Sequence, residues 1–279
     1  MVDAHLHVVP PKLPGVGPLA PVLEQPPEVV AQRLRDELRS AGVTHCLAMG
    51  QWDAGGDDPL GIHTTLAVAE RVPGLRPIGV CCPKRGDDPD HLRGVEAELA
   101  RGRVAALKCY LGYLHTEPVH PSYRRYYELA GHYKVPVVFH TGDTYSALAK
   151  LKFAHPLGVD EVAVDHPNTK FVLAHCGNPW FADAAAVVYK NLNVWADLSG
   201  LVVGDADVFA DPDRKDQLSD TAAGLRRAFR YAERPTRFVF GSDWPLVPVL
   251  PYKRFIAGVL PAAHHDLIFT QNARALFRL

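Results

Sequence analysis

Eight short apolar runs recur along these 279 residues, one about every 35 residues, with helix-forming stretches between them. Regular alternation of strand and helix is the mark of a parallel sheet, because each parallel neighbour needs a crossover. The runs are Val2 to His7, Thr44 to Met49, Pro77 to Cys82, Ala105 to Tyr110, Pro136 to His140, Phe171 to His175, Val194 to Leu198 and Phe238 to Asp243. Helical patterns cover Pro27 to Ser40, His63 to Arg71, Pro89 to Ala100, Tyr123 to Tyr133, Ala182 to Tyr189 and Thr221 to Ala232, with a closing Asn272 to Phe277. Eight such units predict an α/β chain folded as a single-domain (β/α)8 TIM barrel over residues 1–279. A doubly wound open sheet would put a Gly-rich turn after its first strand, whereas this strand leads into a Pro-rich loop. That loop, Pro10 to Pro26, and the Asp- and Gly-rich stretch Gly200 to Asp216 both follow strands. They are expected on the barrel face that carries chemistry.

Composition narrows the partners. Lys and Arg number 30 against 31 Asp and Glu, so no basic surplus exists to neutralise a phosphate backbone, and nucleic acid is not expected. The five cysteines are odd in number and lie in or beside apolar runs, which suits reduced, packed thiols. Adjacent Cys81 and Cys82 point to opposite faces of a strand and are expected to pack rather than to hold a metal. The opening Met1-Val2-Asp3-Ala4-His5 has neither a basic nor an apolar stretch, and no later segment is long enough to cross a bilayer. The expectation is a cytoplasmic protein that does not engage membranes; a homo-oligomer stays open.

Chemistry-bearing residues collect at strand ends. In Val2-Asp3-Ala4-His5-Leu6-His7, period-two alternation puts Asp3, His5 and His7 on one face, so two imidazoles can reach one point. The fifth run ends in His140, and the sixth repeats the design one unit later with His175. The eighth ends in Gly241-Ser242-Asp243, where the glycine permits close backbone approach. Closing a barrel makes the first and eighth strands neighbours, so all five residues converge on one rim. Buried imidazoles need hydrogen-bond partners or a cation, and nitrogen with oxygen ligands around an open position suits a metal.

In these motifs the chain resembles the amidohydrolase superfamily, in its amidohydrolase-2 branch. The resemblance is carried by Asp3-Ala4-His5-Leu6-His7, Leu107-Lys108, Phe139-His140-Thr141-Gly142, Leu173-Ala174-His175-Cys176-Gly177, Gly241-Ser242-Asp243-Trp244-Pro245 and the closing Gln271 to Phe277, in order along the whole chain. It implies that His5, His7, His140 and Asp243 bind one divalent metal ion, most often Zn2+, and that His175 acts on substrate from just outside the ligand set. Lys108, inward-facing on the fourth strand, would pair with substrate or, carbamylated, bridge a second metal. Trp52, Tyr110, Tyr113, Asn178 and Trp244 stand at or after strand ends and are candidates for the pocket wall.

Chemistry then follows from that ligand set. A metal-bound water ionises near neutrality, Asp243 takes its proton and later returns it to the leaving group, and His175 polarises the carbonyl. The expectation is hydrolysis of a small-molecule amide, ester or lactone. The branch also holds non-oxidative decarboxylases of carboxylated rings and dienoic acids. Lys84, Arg85 and Lys108 are the only evident cations near the active-face strand ends, a thin supply for a poly-acidic substrate. A catalytically silent metal-binding barrel is the remaining alternative.

Overall fold

The computed structural model describes residues 1–279. Eight parallel strands, β1 (Val2–His7), β2 (His45–Met49), β3 (Leu75–Val80), β4 (Ala106–Cys109), β5 (Val137–Phe139), β6 (Phe171–Leu173), β7 (Val194–Asp197) and β8 (Phe238–Val239), pair in chain order. The ring closes through main-chain bonds in which Ala4 donates to Phe240 (2.8 Å), His7 to Trp244 (2.7 Å) and Asp243 to His5 (2.8 Å). Around it run α1 (Pro27–Ala41), α2 (His63–Ala69), α3 (Pro89–Ala100), α4 (Arg124–Tyr133), α5 (Leu157–Asp165), α6 (Phe181–Lys190), α7 (Lys215–Ala232), α8 (Val249–Val259) and α9 (Asn272–Phe277). None is long and apolar enough to cross a membrane.

Two helices, α5 and α8, were not anticipated. The valines of α5 weaken any helical signal, since β-branched side chains favour strands. In α8 Pro251 reads as a breaker, yet it falls in the first turn, where backbone N–H groups have no helical partner to lose. Most strands end one or two residues sooner than expected, and β8 ends four sooner, at Val239. His175 (φ 59°) and Asp243 (φ 68°) are left-handed, a conformation that cannot continue a strand.

One departure in β1 bears on the site. Asp3 pairs with Cys46 and Leu6 with Ala48, so Ala4 and His5 together oppose Leu47 alone, a β-bulge. The expected common face of Asp3, His5 and His7 is thereby corrected. Asp3 shares the side of Cys46, towards the helices, where its Oδ1 accepts from the Ser242 N–H (2.9 Å). His5 and His7, beyond the bulge, remain together.

Apolar side chains fill the lower barrel: Val2, Ala4, Leu47, Met49, Ile78, Ala106, Val138, Val172 and Val239. Ala273, Leu276 and Phe277 of α9 plug the end below them. A larger apolar layer packs between strands and helices and takes in Cys46, Cys81, Cys109 and Cys176. All five thiols are buried and free. With the lower barrel filled, polar inward-facing groups are confined to the C-terminal rim.

Candidate metal centre and active-site cavity

His5 and His7 leave the bulged first strand with their rings tilted at 56° and centroids 5.8 Å apart. Asp243 reaches the same point from the segment after β8, its Oδ1 lying 3.5 Å from His5 Nε2 and 3.3 Å from His7 Nε2. Such proximity requires the backbones to come close. A Cβ on Gly241 would stand 2.7 Å from His5 Cβ, and one on Gly200 2.6 Å from Asp243 Oδ2, so neither position admits a side chain. One ligand atom each from His5, His7 and Asp243 lies within 4.8 Å of the others, and so does a second set from His5, His175 and Asp197.

Hydrogen bonding assigns the protons. His5 Nδ1 donates to Asp197 Oδ2 (2.8 Å), His175 Nδ1 to the Ser199 carbonyl (3.1 Å) and His140 Nε2 to the Asp143 carbonyl (2.9 Å). Carbonyls only accept, and the single hydroxyl hydrogen of Ser199 goes to Asp197 Oδ1. The second nitrogen of each ring is therefore a bare lone pair in the neutral state. His140 Nδ1 and His175 Nε2 face one another at 3.2 Å in this form. Asp243 Oδ1 and His7 Nδ1 are buried without a hydrogen-bond partner in the protein. Several lone pairs and a carboxylate converging at one buried point repel one another unless a cation stands among them. This donor set fits a divalent ion bound by imidazole nitrogen and carboxylate oxygen, with Asp197 orienting His5 from behind.

The ionisation states agree. Burial and the charge of Lys108 push His5 down to about 4, against the pull of Asp197 and Asp243. Burial, with His175 and Lys108 beside it, drives His140 well below its ordinary value, and burial lowers His175. Burial pushes Asp243 up, but the adjacent His7, His5 and His175 outweigh it and hold the carboxyl below the usual range. Lys108 is buried, lacks a hydrogen-bond partner, and is brought down to about 8 by burial against the attraction of Asp197 and Asp243.

A cavity of about 300 Å3 opens above these groups, lined by His140, His175, Asp243 and Asn178, and by Asp143, Tyr145 and Gln217. Of the expected wall residues, Asn178 lines it directly. Tyr113 stands edge-on to His140 at 4.8 Å and packs with Trp52, Tyr110 and Leu13 in a separate buried cluster beside the site. Trp244 corrects its expectation: bonded in the backbone to His7, it turns its indole into the outer core. Lys84 lies over the Trp52 ring (4.7 Å) and Arg85 pairs with Asp88 (3.0 Å); neither lines the cavity. Asp197 and Ser199 escaped notice in the sequence. A signal existed, since Asp197 ends its strand as His140 and His175 follow theirs.

A closed parallel barrel with imidazoles and carboxylates gathered at its C-terminal rim defines the general class. More particularly, the family described as Amidohydrolase matches residues 2–279, and the chain belongs to it. No curated protein matches. Among solved structures, a probable 2-pyrone-4,6-dicarboxylic acid hydrolase from Acinetobacter baumannii is 16% identical (TM-score 0.69), covering 100% of this chain and 99% of the other. A 2,6-dihydroxybenzoate decarboxylase from Rhizobium is 14% identical (TM-score 0.60; 99% and 98%). A 5-carboxyvanillate decarboxylase from Novosphingobium aromaticivorans, which holds manganese, is 11% identical (TM-score 0.61; 88% and 80%). These likenesses extend the TIM-barrel fold to this chain.

Proposed function

We propose that this chain is a metal-dependent hydrolase of a small-molecule amide, ester or lactone. The observation that carries the reading is the convergence of His5 Nε2, His7 Nε2 and the unpartnered Asp243 Oδ1 beneath an open cavity. His5, His7 and Asp243 would hold one divalent ion, Zn2+ being the leading choice, with His140 alongside through His175. The ion would supply a water that ionises near pH 7. Asp243, ionised, would hold the ion through Oδ1 and, through its other oxygen, take the proton of the attacking water and return it to the leaving group.

His175 takes a different part from the one the sequence suggested. Its Nδ1 hydrogen is committed to Ser199, so the neutral ring has none left for a substrate carbonyl. Its free Nε2 serves instead as a ligand or base, paired with His140 Nδ1. A second ion would need a further anionic ligand such as a carbamylated Lys108, which metal stoichiometry would reveal.

Asp243→Asn is expected to lower kcat by about 100-fold or more on a lactone or ester substrate, with metal content measured by atomic emission. Undiminished hydrolysis at full metal content would defeat the proposal. The decarboxylase neighbours favour a second reading on the same ligands. Release of carbon dioxide from an aromatic acid, without incorporation of solvent oxygen, would put it first.

A further inference from the structure

The opposite end of the barrel gathers cations. Lys170 immediately precedes β6 and Arg237 immediately precedes β8, while Trp195 belongs to β7, which runs between those two strands. Both cations settle on its indole, the Arg237 Cζ 3.9 Å and the Lys170 Nζ 5.6 Å from the ring centroid. Each is half-buried there, and no carboxylate offsets it. Burial, then Arg237 and Arg278, lower Lys170 from its ordinary value; burial, then Arg234, lower Arg237. Burial and Arg278 do the same to Arg76 in β3. Glu128 and Asp165 line a neighbouring recess, where Glu128 is already paired with Arg124 and Arg125. Holding like charges together in this way costs free energy, and it happens in a chain whose overall charge is only −1.

Beside these cations the surface sinks into a cavity of about 930 Å3, walled by Lys170, Trp195 and Arg237 together with Asn168, Thr236 and Gln271. A recess of that volume admits a small molecule, whereas a nucleic acid backbone is met by a broad basic face. We propose that this recess is a second binding site, separate from the metal centre, for a small dianion held by Lys170 and Arg237 as a phosphate ester or a dicarboxylate. The Arg237 guanidinium offers a planar fork of donors that matches either group, and the Lys170 ammonium adds a compact charge. Asn168 and Thr236 can supply neutral donors from the same wall. Trp195 has already drawn the two cations together, so the ligand need not order them, and its charge relieves their repulsion. The site does not depend on what the metal centre catalyses.

Trp195 is its own reporter. Phenyl phosphate, close to doubly charged at about pH 7.5, and benzene-1,3-dicarboxylate are the probes, with benzyl alcohol as the neutral counterpart. Added to the metal-loaded protein, at least one dianion should shift the Trp195 indole N–H resonance, identified by its loss in Trp195→Phe, and the tighter of the two names the source of the charge. Lys170→Gln and Arg237→Gln should each weaken that titration about 10-fold, the scale of one hydrogen bond between charged groups. Arg33→Gln, on the exposed face of α1, removes the same charge elsewhere and should leave the titration unchanged. Because Arg237 stacks on the reporter, Lys170→Gln decides the matter if Arg237→Gln disturbs the ring. An unmoved Trp195 resonance, an equal response to benzyl alcohol, a titration indifferent to Lys170→Gln, or the same loss in Arg33→Gln would overturn the proposal. A probe bound only at the metal centre, at the other end of the barrel, leaves this resonance where it is.

Discussion

Asp197 governs two imidazoles at once. Its Oδ2 accepts from His5 Nδ1, while its Oδ1 accepts from the His175 backbone N–H (3.1 Å) and from Ser199. The His5 bond turns Nε2 towards Asp243, and the other two anchor the turn that presents His175. Carboxylates behind metal-binding imidazoles typically contribute 10- to 100-fold in metal affinity. Asp197→Asn should therefore weaken zinc binding by about that factor in a competition with a chelator, and unchanged affinity would show that His5 needs no such support. At this scale the sequence made His5, His7, His140, His175 and Asp243 legible because each stands at or near a strand end. Asp197 was equally placed, but a lone carboxylate after an apolar run gives no sign of what it accepts from.

At the scale of elements, the β-bulge in β1 and the turns after β6, β7 and β8 decide how the rings face. His175, Gly200 and Asp243 all have left-handed backbones, and such conformations cluster where a fold spends stability on function. Gly200 is the tightest point of the β7 turn. An alanine methyl there would fall 2.6 Å from Asp243 Oδ2 and 2.9 Å from His175 Nδ1. Gly200→Ala is expected to reduce kcat/KM about 100-fold, the usual cost of misplacing reacting groups by about an ångström, with the far-UV circular dichroism unchanged. Gly17→Ala, where a Cβ meets nothing within 4 Å, serves as the control and should leave kcat/KM as it is. Comparable losses in the two variants would rule out steric displacement as the cause.

Across the whole molecule, concentrating buried titratable groups at one rim ties stability to pH. His5, His140 and His175 all lie below their ordinary value of 6.5 in the folded state. As pH falls below about 6.5 the unfolded chain takes up protons that the folded chain refuses, so stability present above that pH is lost towards 4, where His5 itself titrates. Asp3 opposes this. Burial pushes it up to about 7, so it gains its proton first in the folded state and favours folding from there down to its ordinary 3.8. Asp197 and Asp243, held below the usual carboxylate range, act in the same direction as the imidazoles once pH falls towards 4. Metal-free protein should lose Tm steadily between pH 7 and pH 4, and zinc should raise Tm more at pH 7 than at pH 4.5, where protons compete for the nitrogens. A flat Tm profile without metal would mean that these rings are not held neutral by burial.

Sequence alone determined the barrel, its period and most of the polar residues at its rim, because strand and helix patterning is local and the rim of a parallel barrel collects whatever its strand ends carry. Local patterning also explains the misses: valines hid α5 and an early proline hid α8. What the tertiary structure decided is orientation. The bulge that removes Asp3 from the His5 face depends on pairing with β2, and the proton positions on three rings depend on Asp197, Ser199 and Asp143 brought in from other strands and loops. Side-chain periodicity specifies a face only while the ladder is regular. Which nitrogen of an imidazole is free is fixed by neighbours that only the closed barrel supplies.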